Sequence, residues 1–252
     1  MLLDIAILSY NRVSELSRCL DSLCGIDSDL VRVVVYEDFS PNRLLIKNLC
    51  DSYIDKFQIP LVFCGAEKNL GYDKNLLRAL NSDSTFTFLL SDDDFLNISL
   101  VNNLINFLIS FEGNVLLTSF EKRNNLYRTG AHYIGEYSHH VLYDSVLFSG
   151  VLFRNSVISL TKAESNFLST SIYTQVYLVS KFWCSKSEYF SYPVVIAGED
   201  GENYFGLSDS TADQSDLSNR NDINSNLFYQ VRFQKVAFFG LKSFHKSVCK
   251  SF

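Results

Sequence analysis

The first half of the chain alternates short apolar runs with stretches of helical periodicity. Short apolar runs that end in polar residues are typical of buried strands, and they occur at residues 3–9, 31–36, 61–64, 85–90 and 115–120. Between them, apolar residues recur every three or four positions and predict helices at residues 13–23, 44–57, 69–80 and 100–111. This alternation predicts an α/β fold with a doubly wound, mostly parallel sheet.

The second half of the chain has a less regular pattern. We expect a loop with short strands at residues 127–143, a strand entered through Gly150 at residues 149–154, a helix at 172–183, a strand at 192–197 and a polar loop at 199–226. We interpret the chain as one domain with three parts, a first half at residues 1–120, an irregular second half at 121–230 and a C-terminal segment at 231–252.

Composition and charge exclude several classes of protein. Hydrophobic residues make up 47% and charged residues 20%, which is typical of neither a disordered chain nor a coiled coil. A net charge of −6 argues against a protein that binds nucleic acid through overall basicity, so no nucleic-acid partner is expected. The chain has no apolar run of membrane-spanning length and no basic segment ahead of its first apolar run, and we therefore expect a cytoplasmic protein.

Polar clusters follow three of the predicted strands, at residues 9–12, 37–42 and 91–94. In a doubly wound sheet, ligands bind at the carboxyl ends of the strands. We therefore expect these clusters to converge in space although they lie far apart in the sequence.

The third cluster contains three consecutive aspartates, Asp92, Asp93 and Asp94. Neighbouring carboxylates raise each other's pKa unless a cation neutralises them, and Mg²⁺ or Mn²⁺ prefers carboxylate oxygens together with substrate phosphates. On an extended segment, Asp92 and Asp94 would face one site and Asp93 the opposite side. The alternative is a solvated acidic turn in front of a helix capped by Asn97.

Four segments together resemble the family 2 glycosyltransferases, which have the GT-A fold. They are IAILSYNR at residues 5–12, EDFS at 37–40, NLGYDKN at 69–75 and SDDD at 91–94, and they occur in the family's order within residues 1 to 120. The SDDD form and the aromatic second half are similar to bacterial O-antigen or capsule sugar transferases, including the abequosyltransferase-like group.

The resemblance implies a metal-assisted transfer of a sugar from a nucleotide donor of UDP, CDP, dTDP or GDP type. It implies Asp94 as the main ligand of Mg²⁺ or Mn²⁺, with Asp92 near the metal or the ribose, and Asp38 as the acceptor of a hydrogen bond from the base. Further donor-binding residues by the same resemblance are Ser9, Tyr10, Arg12, Asn69, Gly71, Asn75 and Asp93. Gly150 is a further candidate, because a glycine lets the backbone approach the donor sugar closely. Simpler interpretations stay open, since Arg12 could cap local structure, Tyr10 could be core, Gly150 could mark a strand bulge, and Asn69 with Gly71 could form a helix-entry turn.

The catalytic base is harder to assign. Inverting members of the family carry an acidic pair at the start of a helix in the second half, but the corresponding helix begins here at Ser171-Ile-Tyr-Thr-Gln175 without a carboxylate. The candidates are Glu164, Gln175 and Asp200, although Glu164 could equally be a solvated surface residue. The other interpretation is a retaining enzyme, in which a phosphate oxygen takes the proton.

The C-terminal segment at residues 231–252 has an apolar stripe at helical spacing, flanked by Lys235, Lys242, Lys246 and Lys250. A basic amphipathic helix of this kind binds anionic membrane surfaces, which predicts a location at the inner face of the plasma membrane and a lipid-linked saccharide acceptor. The alternative is a terminal helix that packs on the core.

The sequence therefore predicts a glycosyltransferase. One alternative is a nucleotidyltransferase of similar fold, but such enzymes need a glycine-rich basic loop after the first strand, and residues 9–12 contain no glycine. The other alternative is a carbohydrate-binding protein that has lost catalysis, which the missing acidic pair would permit.

Overall fold

The computed structural model describes residues 1–121, 139–169, 171–183 and 186–198. Its strands are β1 (Leu3–Ser9), β2 (Val31–Glu37), β3 (Leu61–Gly65), β4 (Phe86–Ser91), β5 (Phe95–Leu96), β6 (Val115–Glu121), β7 (Val151–Arg154) and β8 (Glu188–Ile196). Its helices are α1 (Val13–Leu23), α2 (Arg43–Tyr53), α3 (Tyr72–Ala79), α4 (Ile98–Ser110), α5 (His139–Asp144), α6 (Lys162–Leu168) and α7 (Thr174–Phe182).

The strands form one sheet in the order β3-β2-β1-β4-β7-β6-β8-β5. The first four of these are parallel, as predicted for a doubly wound α/β fold. The strand order changes direction between β1 and β4, and this is the position at which open parallel sheets bind ligands, outside the carboxyl ends of the strands.

Strands from the second half of the chain belong to the same sheet. Strand β7 lies antiparallel between β4 and β6, and β8 runs parallel to β6. The short strand β5, directly after the acidic triplet, pairs antiparallel with β8 through Phe95–Ile196 and Leu96–Val195. The acidic triplet of the first half is therefore bordered by a strand from the second half.

Two apolar clusters cover the two faces of the sheet. Alternate residues of β1 point to opposite sides, with Leu3, Ile5 and Ile7 in one cluster and Ala6 and Leu8 in the other. Helices α1, α2 and α4 supply the first cluster, and α3, α5 and α7 supply the second. This layering fixes the helices on both faces and leaves the carboxyl ends of β1, β2 and β4 as the place where polar loops meet.

Several predictions for the second half were wrong in detail. Helix α5 lies in a segment predicted to be loop with short strands, and α6 was not predicted although Thr161 and Glu164 form a capping box at its start. Strand β8 begins at Glu188, four residues before the predicted start at residue 192. The predicted loop at 199–226 and the C-terminal segment at 231–252 lie outside the described residues. Within the described ranges, no helix combines the length and the apolar character needed to cross a membrane.

Candidate active site

The loops after β1 and β4 meet through an ion pair. Nη1 of Arg12 lies 3.2 Å from Oδ1 of Asp92 and 2.8 Å from Oδ2 of Asp93. Asn11 has a φ of 62°, and this left-handed residue turns the chain so that Arg12 stands directly before α1. The predicted convergence of residues 9–12 with the acidic triplet is therefore confirmed, and Arg12 supplies part of the positive charge that the triplet needs.

Asp92 is the most buried carboxylate of the triplet, with 2% of its surface exposed. Burial raises its pKa to about 7, helped by the charge of Asp93 and opposed by Arg12 and the Ser9 hydroxyl. Among the described residues, neither Oδ2 of Asp92 nor Oγ of Ser9 has a hydrogen-bond partner of normal geometry. Buried polar atoms without partners at the mouth of a sheet are typical of a ligand site.

Asp93 does not point away from Asp92, and this prediction was wrong. One carboxylate oxygen of Asp93 accepts from Arg12, and the other accepts from the Ser91 hydroxyl. The alternation expected of an extended segment fails because the amide of Asp94 donates to the carbonyl of Ser91 at 3.2 Å and closes a turn. The turn brings Asp92 and Asp93 to the same guanidinium.

Asp94 is held from the other side of the triplet. Its side chain is 6% exposed, and Oδ1 accepts a hydrogen bond from the backbone amide of Gly198, 3.1 Å away, just after β8. The acidic turn therefore lies between Arg12 on one side and the end of β8 on the other. Asn97 stands at the first position before α4 as predicted, but its side-chain oxygen accepts from the Ser99 hydroxyl and does not cap the helix.

Asp38 shapes the loop that leads into α3. Its two carboxylate oxygens accept hydrogen bonds from the amides of Leu70 and Gly71, both at 2.8 Å. Asn69 also accepts from the amide of Gly71 at 2.9 Å, and Gly71 has a φ of 80°, which favours glycine. The helix-entry turn is therefore present, and burial raises the pKa of Asp38 while the two amides oppose that rise. Its contact with a nucleobase stays a prediction.

Two of the remaining donor-binding candidates, Asn75 and Gly150, form hydrogen bonds with the backbone of neighbouring strands. The buried side chain of Asn75 donates to the carbonyl of Tyr36 at 3.0 Å, which joins α3 to β2. Gly150 has a φ of 76°, donates to the carbonyl of Leu89 and accepts from the amide of Thr118, so it links β4 and β6 at the start of β7. Tyr10 follows β1 and is partly exposed, so it is not a fully buried core residue.

Asp73 has a role that the sequence analysis did not assign. Its buried carboxylate accepts from the amide of Ile172 at 2.8 Å and from the hydroxyls of Thr174 and Ser171 at 2.7 and 3.1 Å. Ile172 has a φ of 56°, a conformation that a β-branched residue rarely adopts. Asp73 therefore fixes a strained turn at the start of α7. A charged residue within the NLGYDKN segment, at the buried face of the predicted helix, was the only sequence signal.

The described candidates for a catalytic base have structural partners. Partial burial raises the pKa of Glu164, but hydrogen bonds from Lys181, Tyr177 and Thr161 outweigh it and lower that pKa to about 2, a value that suits a poor base. Gln175 is 1% exposed, accepts from the Tyr72 hydroxyl at 3.1 Å and donates to the carbonyl of Val146 at 2.8 Å. These contacts argue against both residues as bases, and Asp200 lies outside the described residues.

The described part of the chain has no group of three or more His, Cys, Asp or Glu side chains arranged to hold a metal ion. Among the described residues, Asp92 and Asp94 would therefore supply one or two carboxylate ligands to a cation at the acidic turn. This is the usual arrangement for Mg²⁺ when phosphates and water complete the coordination shell.

The model of one known family, described as Glycosyl transferase family 2, matches residues 4–166. No curated protein matches the chain. Among solved structures, TarS 1–349 of S. aureus in complex with UDP-GlcNAc is similar, with a TM-score of 0.64 and 15% identity over 87% of this chain and 64% of that one. The mannosyltransferase PcManGT of Pyrobaculum calidifontis, in complex with GDP-Man and Mn²⁺, has a TM-score of 0.55 and 12% identity over 80% of this chain and 58% of that one.

This chain spans less than two thirds of the length of either structure, and at these identities the likeness is one of fold. The family match is of a different kind, because it covers more than half of the chain and includes all four segments that the sequence analysis singled out. The chain belongs to glycosyl transferase family 2.

Proposed function

We propose that this protein transfers a sugar from a nucleoside diphosphate donor to a saccharide hydroxyl. The observation that carries the proposal is the meeting of Arg12 with Asp92 and Asp93 at the point where the strand order reverses, with Asp94 beside them. A crevice of this kind is where doubly wound sheets bind nucleotides. Family membership and the donor complexes of TarS and PcManGT support the same activity.

The residues at the acidic turn fit a divalent cation. Asp94 and the buried, unpartnered Oδ2 of Asp92 are hard oxygen donors, which Mg²⁺ and Mn²⁺ prefer. When bound, such a cation neutralises the charge that develops on the leaving diphosphate. Arg12 holds Asp92 and Asp93, Asp38 holds the loop at residues 69–71, and together they fix the walls of the site before any donor enters.

The stereochemical part of the proposal is retention. The first turn of α7 contains no acidic residue of its own, the Asp73 carboxylate beside it is occupied by three hydrogen bonds, and Glu164 and Gln175 are occupied by structural hydrogen bonds as well. A retaining transfer needs no protein base if an oxygen of the leaving phosphate accepts the proton of the acceptor hydroxyl. Transfer to an acceptor from a donor of known anomeric configuration tests this part. The anomeric coupling constant in the NMR spectrum of the product shows whether that configuration is retained.

The acceptor is proposed to be a lipid-linked saccharide of the kind used in O-antigen or capsule assembly, reached from the inner face of the plasma membrane. The support is the apolar stripe at helical spacing, flanked by lysines, in the C-terminal segment at residues 231–252 and the aromatic second half of the sequence.

Replacement of the main metal ligand tests the proposal. Sugar donors of UDP, CDP, dTDP and GDP type are incubated with the protein and Mn²⁺, and the release of nucleoside diphosphate is measured. We expect Asp94→Ala to lower transfer by about 100-fold or more, because charge stabilisation of the leaving group is lost. Asp83→Ala is the matched control, since Asp83 precedes β4, its side chain is 80% exposed and it pairs with Arg32 far from the acidic turn.

Transfer by Asp94→Ala at the wild-type rate would refute the metal assignment. Calorimetry with nucleoside diphosphates and triphosphates separates the alternative functions. A protein without catalysis shows no Mn²⁺-dependent nucleotide binding, and a nucleotidyltransferase binds the triphosphate more tightly.

A further inference from the structure

The end of β8 lies against the acidic turn. Phe95 pairs with Ile196 and Leu96 with Val195, and the amide of Asn97 donates to the carbonyl of Val194 at 2.8 Å. Continuing this antiparallel register beyond β5 places Gly198 opposite Asp93. The acidic turn and the residues after β8 therefore lie side by side, directly beyond the paired residues of β5 and β8.

Gly198 makes two contacts with the turn. Its amide donates to Oδ1 of Asp94 at 3.1 Å, a hydrogen bond to a carboxylate that is almost completely buried. Its Cα faces the peptide between Asp93 and Asp94 so closely that a Cβ atom would lie 1.5 Å from the carbonyl oxygen of Asp93 and 2.7 Å from its carbonyl carbon. Backbone atoms cannot rotate away as a flexible side chain can, so any side chain at this position displaces the turn itself.

From these contacts we propose that Gly198 is a positioning residue for Asp94, and that the end of β8 sets the affinity of the site for a divalent cation with a nucleoside diphosphate. The inference rests on the proposed function, because it assumes that Asp94 meets the cation. Groups that orient a metal ligand from behind change metal affinity by about 10- to 100-fold when they are replaced. Gly198 acts on Asp94 both by its amide and by the absence of a side chain.

The test compares Gly198→Ala with Gly113→Ala. Gly113 is a matched control because an added Cβ would lie 2.0 Å from the carbonyl oxygen of Lys186. Gly113 precedes β6 and Lys186 precedes β8, so this contact lies at the end of β8 opposite to Gly198. Both variants therefore push a new methyl group against backbone next to the same strand. Binding of Mn²⁺ is measured by electron paramagnetic resonance, alone and with UDP, CDP, dTDP and GDP, and thermal unfolding is recorded in parallel.

We expect Gly198→Ala to weaken Mn²⁺-dependent nucleotide binding by about 10-fold or more and Gly113→Ala to leave it within about 2-fold of the wild type. Equal Mn²⁺ affinity in Gly198→Ala and the wild-type protein would overturn the inference. Asp94→Ala separates this failure from that of the proposed function. If Asp94→Ala binds Mn²⁺ and nucleotide as the wild type does, the metal site of the proposed function is refuted, whatever the result for Gly198→Ala.

A second measurement needs no variant and decides the matter if Gly198→Ala does not fold. Ala197-Gly198 is the only Ala–Gly step in the sequence, so labelling alanine with carbonyl ¹³C and glycine with ¹⁵N isolates the Gly198 amide as a single NMR signal. Because this amide donates to Asp94, we expect its signal to shift when Mg²⁺ and the bound nucleoside diphosphate are added together. A signal that stays unchanged while the nucleotide binds would contradict the proposal.

Discussion

Replacement of Asp73 by alanine should destabilise the protein and impair transfer while leaving nucleotide binding largely intact. The Asp73 carboxylate is buried and accepts three hydrogen bonds from the turn that starts α7, one from the amide of Ile172 and two from the hydroxyls of Ser171 and Thr174. It also holds Ile172 at a φ of 56°. No other contact described at this turn replaces that carboxylate.

The size of the effect follows from these contacts. An amide left buried without a partner costs about 1–3 kcal/mol, and each lost hydroxyl contact adds about 1 kcal/mol. A non-glycine residue held in a rare backbone conformation stores about 1–3 kcal/mol, which the turn releases once nothing fixes it. With about 4 kcal/mol lost and about 2 kcal/mol recovered in this way, we expect Asp73→Ala to lower the free energy of unfolding by about 2 kcal/mol.

Urea denaturation of the wild type, Asp73→Ala and Asp73→Asn measures this difference. Asp73→Asn keeps one acceptor oxygen and the volume of the side chain, so its loss should be smaller. Lys74→Ala is the neighbouring control, because Lys74 is exposed on the same helix. Steady-state kinetics complete the assay, and we expect kcat to fall more than the affinity for the nucleotide, since Asp38 and not Asp73 holds the loop at residues 69–71.

An Asp73→Ala variant within about 0.5 kcal/mol of the wild type would refute the reasoning, because surface substitutions produce changes of that size. A variant that loses stability but keeps its full kcat would leave Asp73 as a fold-stabilising residue without influence on the reaction.

Two further predictions concern charge. The pKa of Glu164 is lowered to about 2, so its contribution to stability, about 1–3 kcal/mol, is present above pH 4.5 and is lost as the pH falls towards 2. Thermal unfolding between pH 7 and pH 3 should therefore show a smaller loss of stability in Glu164→Gln, and parallel curves would contradict this assignment. Arg12→Ala should cost about 1–2 kcal/mol at pH 8 in EDTA, because Asp92 loses its cation and takes up a proton, which costs about 1.4 kcal/mol one pH unit above its pKa. Since the pKa of Asp92 is raised to about 7, its carboxyl group is protonated at pH 5, and the cost of Arg12→Ala should be smaller there. An equal cost at both pH values would refute this prediction.

The strands of the first half were predictable because each is a mostly apolar run, with β1, β2 and β4 buried on both faces and the edge strand β3 only partly buried. The bounds of β1 agree with the prediction, and those of β2, β3, β4 and β6 differ by one residue at one or both ends. A run of this kind is a local property, since a strand buried on both faces is apolar at most of its positions wherever it lies in the sheet. The order of strands β7, β6 and β8 depends on contacts between distant segments, and no local pattern contains it.

The same distinction holds at the site. The contact of the acidic triplet with Arg12 was predictable from the ends of the strands and from charge. The direction in which Asp93 points was not, because it depends on the turn between Ser91 and Asp94. The role of Asp73 depends on α7, about a hundred residues away in the sequence. Gly198 could not be identified from the sequence, since only the pairing of β5 with β8 shows why a side chain is excluded there.

The interleaving of β7 and β8 with the strands of the first half also limits which parts of this protein can be exchanged with those of a homologue. An exchange of residues 1–121 for those of a homologue would place a foreign acidic turn against the β8 and Gly198 of this chain, to which that turn is not fitted. Chimeras intended to change donor choice should therefore carry residues 151–198 along with the first segment. For the same reason, amino-acid changes in residues 1–121 and in residues 151–198 should be correlated among natural homologues.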